Sequence, residues 1–163
     1  VFSDCGAFRH LLWEVWDDTK PVLTWCLFNP SQAGKMLDGK RRPDPTWTKG
    51  VGFSKRLGYG GQVFCNPYDF ISTDPKGLKA AGYPVGPDND NHIKAALTGA
   101  DAVCVAWGDR ARGLSRPAEV LAMIARAGRA TGCLAVTKHG LPSHPLMLAA
   151  SCRLSEYGKP PNV

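Results

Sequence analysis

The residues best able to do chemistry sit just after short apolar runs. One run leads into Asn29-Pro30-Ser31-Gln32-Ala33 and a second into Asn66-Pro67-Tyr68-Asp69-Phe70. A third leads into Trp107-Gly108-Asp109-Arg110-Ala111, and a fourth into the stretch from Lys138 through His144-Pro145-Leu146. Amides and an imidazole dominate these ends. An amide offers a donor and an acceptor together, and a neutral imidazole donates from one nitrogen while accepting at the other. Such groups suit recognition of a polar ring edge and stabilisation of developing negative charge. Each also has a plainer reading: Asn-Pro is a common turn, and a lone histidine is usually structural. Asp44, ahead of Pro45, reads either as a carboxylate beside a reacting carbon or as a helix N-cap with proline at the first helical position. No Ser–His–Asp triad pattern, Walker loop or dinucleotide glycine pattern appears.

The elements that must hold these residues follow from the pattern. The runs at 22–28, 62–65, 102–107 and 133–136 are short, continuous and rich in Val, Leu, Phe and Cys, as in strands buried on both faces of a parallel sheet. Helical segments are expected over 46–57, 89–97 and 117–127, between the strands. The aromatic stretch 8–16, broken by Asp17-Asp18-Thr19-Lys20-Pro21, reads as an extra strand. The expected fold is a three-layer α/β/α domain over residues 1–163, with a four-stranded parallel sheet plus an added N-terminal strand. In such a sheet, ligands bind beyond the carboxyl ends of the strands, where the polar residues collect.

Composition narrows the partners. Apolar residues are 44% and charged residues 21% of the 163, which is ordinary for a globular domain. No apolar run reaches membrane-span length and no signal-peptide pattern opens the chain, so a cytoplasmic protein without membrane association is expected. The formal charge of +6 favours a polyanion such as DNA. The six cysteines form no C-x-x-C pair. They read as reduced thiols, mostly in the core, and no metal or other cofactor is expected.

The four motifs in this order resemble the uracil-DNA glycosylase superfamily, most strongly the members whose first motif reads Asn-Pro-Gly rather than Asp-Pro-Tyr. The sequence is also similar to a bacterial and phage family with an LNPS…DPT…NPY…WG…HPLYL pattern, from about residue 8 to residue 148. Two departures stand out. Ser31 occupies the place of the usual glycine, and the last motif is His-Pro-Leu-Met rather than His-Pro-Ser-Pro-Leu.

The resemblance implies a role for each position. Asn29 would place the attacking water, with Pro30 and Ser31 beside it. Asn66 would read the edge of an extruded base. His144 would steady negative charge on the leaving base, and Asp44 would be the carboxylate near the anomeric carbon or merely the cap. Trp47, Tyr68 and Phe70 are the candidates to stack on that base, or else core residues. Leu146 and Met147 would form a wedge entering the duplex, or else pack in the core. Lys35, Lys40, Arg41 and Arg42, with Arg110, Arg112 and Lys138, would touch DNA phosphates, or else form a solvated charged face.

The expected function is hydrolysis of an N-glycosidic bond to an abnormal or modified base in DNA. The base could be a phage-type modified pyrimidine and the setting phage defence, and the enzyme would act as a monomer. Two alternatives stand beside it: a base-modifying transferase or pyrophosphorylase acting on DNA, and a non-catalytic nucleic-acid-binding module.

Overall fold

The computed structural model describes residues 1–31, 36–37, 40–41 and 44–158. It is a mixed α/β domain with a six-stranded, mostly parallel sheet and four helices. The chain runs through β1 (Leu12–Val15), β2 (Val22–Leu27), a two-stranded ribbon of β3 (Met36–Leu37) and β4 (Lys40–Arg41), and α1 (Pro45–Arg56). It continues through β5 (Gly61–Cys65), α2 (Pro75–Ala80), α3 (Asn89–Thr98), β6 (Ala102–Ala106), α4 (Arg116–Arg126), β7 (Thr131–Cys133) and β8 (Ser155–Glu156). The sheet order is β1-β5-β2-β6-β7-β8. β5, β2, β6 and β7 pair in parallel, while β1 and β8 close the two edges antiparallel. No helix among the described residues is long and apolar enough to cross a membrane.

Period-two alternation along the central strands divides the core. Leu23, Trp25 and Leu27 of β2 pack with Trp47 and Phe53 of α1. Cys26 of β2 and Phe28 just beyond it face Ile93 and Leu97 of α3 and Val120 and Ile124 of α4. In β6, Cys104 and Ala106 go with the first set, and Val103, Val105 and Trp107 with the second. Helices therefore cover both faces, and the central strands are apolar on both sides as a buried parallel sheet requires.

Local chemistry fixes the helices. Asp44 caps α1, its Oδ1 accepting from the Trp47 N–H at 2.7 Å, with Pro45 in the first turn. Gly50 lets α1 lie close to the sheet: a Cβ there would come within 2.6 Å of Phe64 Cζ. The basic residues Lys55 and Arg56 close the last turn, where the helix dipole favours cations.

Three features depart from the sequence reading. The fourth core strand is Thr131–Cys133 rather than 133–136, because residues after Cys133 turn away to bridge Pro142 through Val136. The sheet has a sixth strand, β8, formed by a two-residue segment too short to leave a periodic signal. Helix α2 follows Asp74-Pro75, a cap-and-proline start like that of α1 on a six-residue helix that buries Leu78. The cysteines fall as expected: Cys26, Cys65, Cys104 and Cys133 are buried free thiols.

Candidate functional site

The chain leaves β2 toward β5 through α1, and leaves β6 toward β7 through α4. β2 and β6 are neighbours whose connections run in opposite directions, so their carboxyl ends form a topological switch point, where open α/β sheets bind ligands. A cavity of about 470 Å³ opens there. Phe28, Asn29 and Ser31 after β2 line one side, and Trp107, Gly108, Asp109 and Arg110 after β6 line the other. Thr46 of α1, Ser72 and Thr73 from the loop after β5, and His144, Leu146 and Met147 complete it.

Asn29 is held firmly. Its Nδ2 donates to Ser72 O at 2.9 Å and to Pro30 O at 3.1 Å. Two carbonyl partners can only face the NH₂ end, so the amide orientation is fixed. Oδ1 remains as the acceptor, and no described residue donates to it. The same contacts lace the loops, since Ser72 N–H donates back to Pro30 O at 3.0 Å.

His144 reaches the cavity on a loop pinned at two points. Ser143 N–H bonds Ala135 O and Gly108 N–H bonds Pro142 O, each at 2.8 Å. Gly108 turns beside the His144 side chain at φ +70°, a conformation that favours glycine. His144 then caps a 3₁₀ turn, Pro145–Met147, its Nδ1 accepting from the Leu146 N–H at 3.3 Å. With Nδ1 accepting, the neutral ring carries its proton on Nε2. Burial pushes the His144 pKa below the ordinary histidine value. Arg110 adds to that shift and Asp44 opposes it. The ring is therefore neutral at pH 7 and donates from Nε2.

The cavity mouth is apolar and basic. Met147 is 88% exposed and Leu146 42% exposed, so neither is core. Arg110 lines the cavity, while Arg112 and Lys138 are exposed. Arg112 Nη1 lies 3.5 Å from His139 Nε2. Asp109 accepts from Thr137 Oγ1 at 2.5 Å and meets His139 Nδ1 at 3.1 Å. The hydroxyl first, then the imidazole, hold its carboxyl below the usual range against some burial.

Several expected site residues lie elsewhere. Asn66 is 0% exposed and its amide is consumed inside the fold: Nδ2 donates to Leu27 O at 3.1 Å, and Oδ1 accepts from Arg9 Nη2 at 3.4 Å. It does not line the cavity. The three expected stacking aromatics do not line it either. Tyr68 packs edge-on against Phe28 with ring centroids 5.4 Å apart, Phe70 against Phe8 at 5.7 Å, and Trp47 against Phe64 at 4.9 Å. Phe28 and Trp107 are the aromatics that line it. Their signal was available, since Phe28 ends an apolar run just before Asn29 and Trp107 ends the run that opens the third motif, both on the same face of the sheet. Pro30 is buried, and its carbonyl serves Asn29 and Ser72.

Asp44 is the α1 cap, and its Oδ2 also accepts from Ser31 Oγ. It lines a neighbouring groove along α1 rather than this cavity. Lys40 and Arg41 form β4. Lys35 and Arg42, with Gln32 and Ala33, lie outside the described residues. Arg9 went unremarked in the sequence. Burial lowers its pKa to about 10, with Asp44 opposing the shift, so the guanidinium stays charged.

Fold and cavity together define an open α/β protein with a cavity at its switch point. The chain belongs to the DUF1643 family, described as a protein of unknown function, whose family model matches residues 9–146. That span runs from the buried Arg9 to Leu146 at the cavity mouth. No curated protein and no solved structure matches the chain.

Proposed function

We propose that this protein is a DNA glycosylase with a uracil-DNA glycosylase-like fold, acting on an abnormal or modified base. The observation that carries the reading is the pairing, in one cavity, of an Asn29 amide fixed with its acceptor free and a neutral His144 fixed with its Nε2–H available. A parallel four-strand centre with helices on both faces is the architecture that the motif resemblance implies. The extruded base occupies the cavity against Phe28 and Trp107. Asn29 Oδ1 accepts from a water and orients its lone pair toward the anomeric carbon. As the glycosidic bond breaks, the base takes the electron pair, and His144 Nε2–H donates to its carbonyl oxygen. Such a preorganised donor stabilises charge where it develops. Base extrusion is aided by Leu146 and Met147 filling the vacated stack, and Arg110, Arg112 and Lys138 hold the flanking phosphates.

The volume of about 470 Å³ lies in the range of sites that enclose whole small molecules, and it suits a substituted pyrimidine. A phage-modified base fits that size, and the proposed setting for such an activity is defence against phage in the cytoplasm. The test is a panel of natural and phage-modified DNAs incubated with the protein, assayed for released base and alkali-labile sites. Released base with abasic product supports the reading. A new adduct on an intact nucleotide would indicate a base-modifying transferase instead. Binding without any change in the DNA would indicate a non-catalytic module.

A further inference from the structure

We propose that Asp109 is the residue that positions His144, by holding the hairpin from which the His144 loop returns to the cavity. The inference rests on the glycosylase reading, which gives His144 its role. Residues 135–143 form a small antiparallel hairpin. Val136 bridges Pro142, Ser143 N–H bonds Ala135 O at 2.8 Å, and Thr137 N–H bonds Leu141 O at 2.7 Å. His144 is the first residue after its return strand. A two-stranded hairpin is marginal on its own, and burial does not fix the tip of this one. Val136 is 56% exposed, and Lys138, His139 and Gly140 are exposed as well. Polar contacts therefore set its direction. At the base, Gly108 N–H bonds Pro142 O at 2.8 Å. At the tip, Asp109 Oδ1 accepts from Thr137 Oγ1 at 2.5 Å and Oδ2 from His139 Nδ1 at 3.1 Å, and Tyr157 OH donates to Gly140 O at 3.3 Å. The Thr137 hydroxyl oxygen also accepts from the His139 N–H at 3.2 Å, so this one side chain ties the turn to itself and to Asp109.

Asp109 is well placed to do this. It opens a 3₁₀ turn directly after Gly108, and Ala111 of that turn is only 3% exposed, so its backbone is tied to the core at the end of β6. An ionised carboxylate is an acceptor only, and it takes one donor from each of two hairpin residues. Asp109 lines the cavity, yet both of its oxygens are engaged by the hairpin. That suits a site where negative charge develops on the leaving base, because a carboxylate aimed at the base would oppose the charge that His144 steadies. The adjacent residues Gly108 and Asp109 thus hold the base and the tip of one hairpin. A donor on such a support is directed before the charge appears, as preorganised stabilisation requires. Asp109 acts through His144 and is a positioning residue.

The test measures single-turnover base release and DNA affinity, on a DNA that the panel shows to be cleaved and below each melting transition. The proteins are the wild type, Asp109→Ala, Thr137→Val, Thr137→Ser, His144→Ala and the double variant Thr137→Val with His144→Ala. Thr137→Val keeps the side-chain shape and removes the hydroxyl. Thr137→Val and Asp109→Ala are each expected to slow release by about 10-fold or more, short of the loss in His144→Ala, because a misplaced donor forfeits part of what a missing one forfeits. The DNA Kd should stay within about threefold, since phosphates set most of it. Thr137→Ser, which keeps the hydroxyl, should restore most of the rate. The double variant should be no slower than His144→Ala, because the hairpin acts only through that side chain. The His144 ring signals in the NMR spectrum, assigned as those missing from His144→Ala, should shift or broaden in DNA-free Thr137→Val and Asp109→Ala and return in Thr137→Ser. Wild-type rates in both variants, or losses that multiply in the double, overturn the positioning role and leave the glycosylase reading standing. If Asp109→Ala does not fold, Thr137→Val against Thr137→Ser decides: loss with rescue supports the role, and no loss overturns it. If the wild type releases no base from any DNA, the glycosylase reading fails, and the ring signals alone decide whether Asp109 holds His144: signals unchanged in both variants overturn it.

Discussion

Replacing Asn29 should damage rate and stability together, by amounts that can be assigned separately. Its Nδ2 makes two hydrogen bonds, to Ser72 O at 2.9 Å and Pro30 O at 3.1 Å. Each contributes about 0.5–1.5 kcal/mol net, so Asn29→Ala should lose about 1–3 kcal/mol of stability. For a domain of this size that lowers Tm by roughly 2–12 °C. Losing the acceptor that orients the water should cost ~10²–10³ in single-turnover base release, measured well below the melting transition. Asn29→Asp separates the two ends of the amide. It keeps an acceptor for the water but turns a carboxylate oxygen toward two carbonyls that need donors. It should therefore destabilise at least as much as Asn29→Ala while retaining more of the rate per folded molecule. Thermal melts and single-turnover release on a cleaved DNA give both quantities. A wild-type rate for Asn29→Ala would refute the water assignment. An unchanged Tm for Asn29→Asp would refute the claim that Nδ2 is the laced end.

His144→Ala should lower base release by ~10²–10³ while DNA affinity, set mainly by phosphates, changes little in a binding isotherm. Because burial depresses the His144 pKa, the unfolded chain binds that proton first as pH falls below about 6.5, the usual histidine value. Stability should therefore drop with pH from there to the lower folded pKa, and the drop should shrink in His144→Ala. His92, also lowered by burial first and by His10 next, keeps part of the slope. Met147→Ala removes a side chain 88% exposed, so Tm should move little while release from duplex DNA falls more than release from single strands. DNA affinity should fall with a log–log salt slope of several units, in keeping with the +6 charge, and Arg110→Ala should reduce that slope by about one. A flat salt titration would remove DNA as the partner.

The sheet was legible because its central strands are buried on both faces and so read as continuous apolar runs. Helices α1, α3 and α4 were legible from proline and cap signals and agree with the structure to within a residue or two. β7 was misplaced because the residues after Cys133 remain apolar while turning into a loop. Of the site, Asn29, Ser31, Arg110, His144, Leu146 and Met147 meet at one cavity as their strand-end positions implied. Asn66 has the same Asn-Pro signature as Asn29, yet it is sealed beneath the loops. Sequence could not separate them, because the difference lies in which neighbours take their hydrogen bonds. Asn29 gives both donors to carbonyls and keeps its acceptor, whereas Asn66 spends its amide on Leu27 O and Arg9. Tyr68, Phe70 and Trp47 were plausible ring-stackers by position, but each meets another aromatic edge in the fold.

The two Asn-Pro turns have divided one task. After β5, Asn66 is fully buried, and the neighbouring Asn89 Nδ2 donates to Asn66 O and Pro67 O at 3.1 Å each. Arg116 also bonds Pro67 O, through Nε at 3.0 Å. That strand end is therefore tied by hydrogen bonds inside the protein, with Asn89 Oδ1 left as a buried acceptor without a partner among the described residues. After β2, by contrast, Asn29 and Ser31 line the cavity, and Ser31 bonds the Asp44 that caps α1. Asn29 is anchored by Nδ2 and presents Oδ1. The anchored Nδ2 contributes to stability and the presented Oδ1 is available to a ligand. The side chain is already oriented before anything binds, so little ordering entropy remains to be lost on binding. Substitutions that cut only the anchor should therefore weaken function as well as fold, and by more than the lost stability alone, because a freed side chain no longer presents its atom in one direction. Ser72 anchors Asn29 only through its backbone carbonyl, so no side-chain change at Ser72 can release that amide directly.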